Sequence, residues 1–258
     1  MNDFLKIYTV AFYTSKEIIK SKILLNVLML GLALFVITYV AFSFTYGEAS
    51  RVALDFGLGI LSLSSVGIAI FIGVGLLSKE IENRTVYMIV SRPVPRFSFI
   101  LGKLLGLISV LIINILLLSV LTMLCYFLAG GEYTSLISWS ILFTMIEAII
   151  VLLVVSVLSL VTSPTMSVLF SLMIYISGHA ISETKLTTFA AKAPGLMEVL
   201  NFYHFVLPGF YKFNIKDFIL YKQIIEWDFI FLTLSYGIVY ILFLTILSII
   251  IFEKKNLD

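Results

Sequence analysis

The side chains best suited to chemistry in this sequence are gathered in one stretch, KEIENRTVYMIVSRPVPRFSFILGKLLG, Lys79 to Gly106. There Lys79, Arg84, Arg92, Arg96 and Lys103 stand against Glu80 and Glu82. Carboxylates and guanidinium groups at this spacing make charge-assisted hydrogen bonds, so the chemistry on offer is recognition of a soluble partner. The plain alternative is that these charges only fix the orientation of the chain in a membrane. Constellations that make or break bonds are missing from the sequence. It has no GxxxxGK[ST], HExxH, GxSxG or GxGxxG motif and no cluster of His, Cys and carboxylates at ligand spacing, so the chain is not expected to be an enzyme. Two isolated groups remain. Glu147 is an acid well inside an apolar run, and such a carboxylate marks a functional site by default. Its position about two turns from Trp139 fits equally a protonated, hydrogen-bonded group near the interface. His179 reads as a hydrogen-bonded side chain, and with His204 the only other histidine no metal site is expected.

The elements that must position these groups are membrane helices. Of 258 residues, 61% are hydrophobic and only 12% charged, with mean hydropathy +1.13. A soluble domain is about 25% charged, so this composition cannot cover a globular surface and implies a polytopic membrane protein. The net charge of +2 says little about partners by itself, because distribution matters more than the sum; no nucleic-acid partner is expected. The single Cys125 lies in an apolar run and excludes an internal disulfide.

Residues 4–20 carry apolar side chains at helical spacing with Lys6, Lys16, Glu17 and Lys20 interspersed, the pattern of a helix lying in the membrane interface against lipid phosphate. Spans are expected at about 23–44, 56–78, 99–128, 139–161, 166–181 and 229–252, which gives an all-α fold with six transmembrane helices. Glycines and serines in the second suit close helix approach. Glu48, Arg51 and Asp55 are assigned to a short outer loop. Pro93 and Pro95 interrupt the charged stretch and push Arg92 and Val94 toward extended geometry. The expectation is a short helix over about 79–90, a turn over 91–96 and a helix restarting near Phe97. Residues 183–227 hold apolar pieces broken by Pro194, Pro208 and Gly209, and read as short re-entrant or surface helices, which the span count puts on the outer side of the membrane. With six spans both termini are cytoplasmic, and eleven cations fall inside against six outside.

At this point the charged stretch resembles a known pattern. Glu80, Arg84 and Thr85, then Ser91, Arg92, Pro93, Val94 and Arg96, then Gly102, Lys103 and Gly106 are similar in order to the coupling region of ABC-2 type permeases, the membrane subunits of ATP-binding cassette transporters, in particular the NosY-like branch. Thr14 to Lys22, LPGFYKFNIKD at 207–217 and FEKK at 252–255 extend the resemblance to both ends of the chain. Asn83 before Arg84 and Pro95 in place of a small polar residue depart from it and stiffen the turn. The resemblance implies a single ABC-2 transmembrane domain over 1–258 that pairs with a second permease copy, as a homodimer, in a bacterial or archaeal cytoplasmic membrane. It also implies two separate ATPase subunits that bind ATP and Mg, while the chain itself binds no cofactor. Glu80, Glu82, Arg84, Thr85, Arg92, Pro93 and Arg96 would touch those ATPases, with the interfacial helix carrying Lys16, Glu17 and Lys20 nearby. The expected role is export of an amphipathic or lipid-like substrate, with an external accessory protein as a further partner. The alternative is an anchor or regulatory subunit that recruits an ATPase without moving substrate itself.

Overall fold

The computed structural model describes residues 3–20, 23–44, 49–75, 95–186, 207–221, 223 and 225–254, with isolated positions 195, 198, 200 and 203. The described secondary structure is helical: α1 (Asp3–Lys20), α2 (Ile23–Phe44), α3 (Ala49–Val74), α4 (Arg96–Leu128), α5 (Ser135–Val161), α6 (Pro164–Leu186), a 3-10 turn (Phe210–Phe213), α7 (Lys216–Leu220) and α8 (Trp227–Lys254). Among the described residues, five helices are long and apolar enough to cross a membrane: α3, α4, α5, α8 and the Pro164–Ile181 part of α6. The chain is therefore an all-α polytopic membrane protein. Helices are the open-ended solution for lipid because each satisfies its own backbone hydrogen bonds. The hydroxyls within these spans follow the same rule: those of Ser65, Thr144, Ser156, Ser171 and Ser248 donate to the carbonyl one turn back.

Side-chain size sets how closely the spans approach. Gly57 of α3 lies against Thr122 of α4, and Leu61 clusters with Leu118, so these helices run antiparallel. Gly73 brings α3 onto Leu152 and Val155 of α5, and Gly237 brings α8 onto Ile146. Helix α5 is thus the centre of the bundle, with Phe143, Ile150, Leu152, Leu153 and Val155 fully enclosed. Between α4 and α5 the chain reverses at Gly130, whose φ of 82° favours glycine. The α5–α6 reversal is shorter still. Thr162 and Ser163 make the turn, Pro164 opens α6 with its fixed φ, and the Thr162 and Ser167 hydroxyls pair at 2.8 Å.

Two findings refine the sequence expectations. Helix α3 starts at Ala49, so Arg51 and Asp55 belong to its first turns and not to an outer loop; Ala53, Leu54 and Leu58 continue the buried face through that region. Helix α1 runs alongside α4. Gly102 meets Ile7 and Val10, Gly106 meets Ala11 and Thr14, and the Ser15 and Ser109 hydroxyls pair at 2.7 Å. Both sets of numbers rise together, so the two helices are parallel over this stretch. Glycines at 102 and 106 allow it, because a Cβ at either would stand 2.8 Å from an α1 carbonyl oxygen. At 33 residues α4 is about 50 Å long and exceeds the ~30 Å hydrocarbon layer, which leaves a flank for α1 beyond one membrane face. The same end of α4 receives the end of α8: Phe99 and Phe252 rings lie 6.0 Å apart, and Arg96 donates to the Glu253 carbonyl at 3.1 Å. A cation at that helix C-terminus is favoured by the exposed carbonyls there.

Candidate functional site

Glu147 and His179 are equally far in sequence from Ser163, so the tight α5–α6 hairpin brings them to the same height. His179 Nε2 and Glu147 Oε1 are 2.7 Å apart. Glu147 is 2% exposed and sits at the midpoint of the 27-residue α5, deeper than the distance from Trp139 suggested, because α5 begins at Ser135. Tyr175, one turn before His179 on α6, meets the imidazole edge-on with ring centroids 4.8 Å apart. An acid this deep is stable only with partners, and here the imidazole supplies one. The pair contributes two metal-ligating side chain types, and among the described residues no third His, Cys, Asp or Glu joins them.

The 207–221 segment inserts over this pair. Phe210 stacks on the His179 ring at 6.0 Å and tilts against Tyr175 at 5.4 Å. Gly178 makes the approach feasible, since a Cβ there would stand 2.6 Å from both the Pro208 carbonyl and the Phe210 ring. Phe213 meets Phe143 of α5 edge-on at 6.4 Å, and the Gly209 N–H donates to the Tyr236 hydroxyl of α8 at 2.8 Å. Phe210, Phe213 and Ile215 are enclosed, so this segment is inserted among the helices. Burial holds the Lys212 ammonium below the ordinary lysine range, while the Tyr236 face, 4.1 Å from its nitrogen, favours the charged form.

Beyond Asn214 the segment closes on α3. Lys216 forms an ion pair with Asp55, and Arg51 lies over the Tyr221 ring at 5.2 Å. The result is a polar recess of about 160 Å³ between α3, α5 and this segment, lined by Gly59, Ser62 and Leu63, by Ser140, Thr144 and Glu147, and by Phe213, Asn214 and Lys216. Hydroxyl oxygens and one deep carboxylate face a space of a size for a small polar group or a few water molecules. Chemically it can hold a proton or a cation. The described side chains set up no nucleophile and base around it.

The other residues marked in the sequence lie elsewhere. Glu80, Glu82, Arg84, Thr85, Arg92 and Pro93 fall outside the described residues. Pro95 precedes α4 in extended geometry (φ −65°, ψ 143°) and Arg96 begins the helix, one residue ahead of the expected restart. Lys16, Glu17 and Lys20 are exposed on α1, as are Phe4, Tyr8 and Phe12, while the Thr14 edge docks on α4. Reading by sequence missed Tyr175, Ser62 and the Asp55–Lys216 pair. The first had a signal: Tyr175 and His179 are one helical turn apart and face the only acid in the preceding span. Comparison with known protein families and with curated proteins finds no match for this chain.

Proposed function

We propose that this protein is the membrane permease subunit of an ATP-binding cassette exporter of the ABC-2 type. The observation that carries the reading is the polar recess at Glu147, set in an otherwise apolar helical bundle, with α6, only 22% of whose apolar stretch is buried, joined to Glu147 through His179. A polar site inside a membrane bundle next to a sparsely covered span suits a carrier that alternates exposure. The ordered resemblance of residues 80–106 supports the finer assignment. In it α2 is the sixth span, both termini are cytoplasmic, and two copies of the chain pair with two ATPase subunits. Glu80, Glu82, Arg84, Arg92 and Arg96 form the joint to the ATPase, and the junction of α1 with α4 transmits its movement. Arg96, bonded to the end of α8, ties that joint to the last span.

The reading is tested by co-purifying the chain with a candidate ATPase encoded beside it and measuring ATP hydrolysis in lipid. Charge reversal at Glu80, Arg84 or Arg92 is expected to abolish association or the membrane-dependent stimulation of hydrolysis. Unchanged assembly and stimulation in all three variants would return these charges to a purely topological role. Stimulated hydrolysis without movement of any amphipathic substrate would favour the anchor reading instead.

A further inference from the structure

The recess has a mouth on the outer surface of α3. Leu63 lines it and is itself 71% exposed, so the cavity is not closed off by the bundle on that side. From there an i, i+4 row runs down the helix: Gly59 in the recess, Leu63 at its mouth, Gly67, and Phe71, 86% exposed. Gly67 has nothing within 4 Å of where its Cβ would be, which leaves a notch between two protruding apolar side chains. A polar chamber thus continues into an apolar groove on one helix.

The recess lining carries one carboxylate, Glu147, and one ammonium, Lys216, with Asp55 and Arg51 near its rim on α3. Lys216 is committed to Asp55. Glu147 keeps the His179 imidazole, which occupies one of about four acceptor positions on a carboxylate. The remaining capacity faces the chamber, where the hydroxyl oxygen of Thr144, whose proton is given to the Ser140 carbonyl, is a further acceptor. Acceptors lining a buried site select a donor, and a carboxylate among them favours a cationic one.

We infer that the recess binds the ammonium head of an amphiphile, with the head on Glu147 and the apolar tail in the α3 groove along Leu63, Gly67 and Phe71. A primary ammonium has three donors for the carboxylate and the hydroxyls, and its alkyl tail fills the Gly67 notch. As a statement of substrate class this rests on the permease reading. Binding itself is measured on the chain alone, without an ATPase, so either can fail without the other.

The test is titration of the full chain in phosphatidylcholine nanodiscs with dodecylammonium, dodecanol and dodecanoate. The readout is tryptophan fluorescence, because Trp139 adjoins the lining residue Ser140 in sequence and its ring lies 6.4 Å from that of Trp227, the only other tryptophan. Dodecylammonium is expected to give a saturable change that dodecanol and dodecanoate do not. Glu147→Gln should weaken it about ten- to hundredfold, the range for losing a charged hydrogen-bond partner. Gly67→Leu, which adds a side chain where there is space and so should fold, is expected to weaken dodecylammonium about tenfold by filling the groove. Equal responses to dodecanol, or unchanged affinity in Glu147→Gln, overturn the ammonium site. Should Glu147→Gln fail to fold, Gly67→Leu decides alone: unchanged affinity, or a change of oligomeric state in its place, overturns the assignment by giving the groove to nothing or to a second copy of the chain.

Discussion

Helices α5 and α6 are joined by a two-residue turn, yet they are held in opposite ways, and α5 is also the longer and more apolar, 27 residues against the 18 of the Pro164–Ile181 stretch. In α5, 67% of the apolar stretch is buried, against 22% in α6. Helix α5 is gripped on several sides by α3, α8 and the inserted segment through close aliphatic and aromatic contacts. Helix α6 leaves Met166, Leu169, Phe170, Met173 and Ile176 on an open stripe; its opposite face is narrow and largely polar, with Ser167 and Ser171 buried along it and Tyr175, Ser177, Gly178 and His179 in contact toward the far end. In lipid there is little hydrophobic drive to press one helix on another, so shape fit and hydrogen bonds decide which spans are fixed. The difference teaches that α5 is the frame and that α6 meets it along a narrow face leading to the Glu147–His179 pair.

The sharpest way to break this comparison is His179→Leu. It leaves a buried carboxylate without its imidazole, a change that costs about 3–5 kcal/mol where the charge persists. The loss should appear locally, as faster labelling of a cysteine placed at Met173 with no change at one placed on α5. Equal acceleration on both helices would show that the pair holds the whole bundle. Next in size, Leu152→Ala removes a fully enclosed side chain from α5 and should cost about 2–5 kcal/mol in a denaturant titration of the whole protein. A small, local effect there would remove α5 from its central role. The smallest change expected is from Ile176→Ala on the open stripe of α6, within about 0.5 kcal/mol. A larger loss would mean that this stripe is covered in the folded assembly.

Much of the fold was legible because length and apolar content suffice to mark a membrane helix. The cores of the spans at 99–128, 139–161 and 229–252 each lie inside a helix of the structure, while every one of those helices extends a few residues beyond the apolar run. The ends were harder, because polar residues such as Arg51 and Asp55 can occupy a helical turn once a partner like Lys216 or Tyr221 neutralises or covers them. For the candidate site, Glu147 stood out as a misplaced charge, whereas His179 looked terminal because the apolar run fades near Ile181 while the helix continues to Leu186.

Composition and hydropathy by themselves determined that the chain is a bundle of apolar helices with one acid inside and a charged, proline-broken stretch between two spans. They do so because the cost of an unsatisfied backbone or an unneutralised charge in lipid is paid residue by residue, regardless of neighbours. Which residues meet was decided only by tertiary structure. The pairing of Glu147 with His179, the descent of Phe210 onto Gly178 and the closing of Lys216 on Asp55 depend on hairpin register and on the depth to which 207–221 inserts. Those are set by packing between elements far apart in the chain, and no local pattern of side chains encodes them.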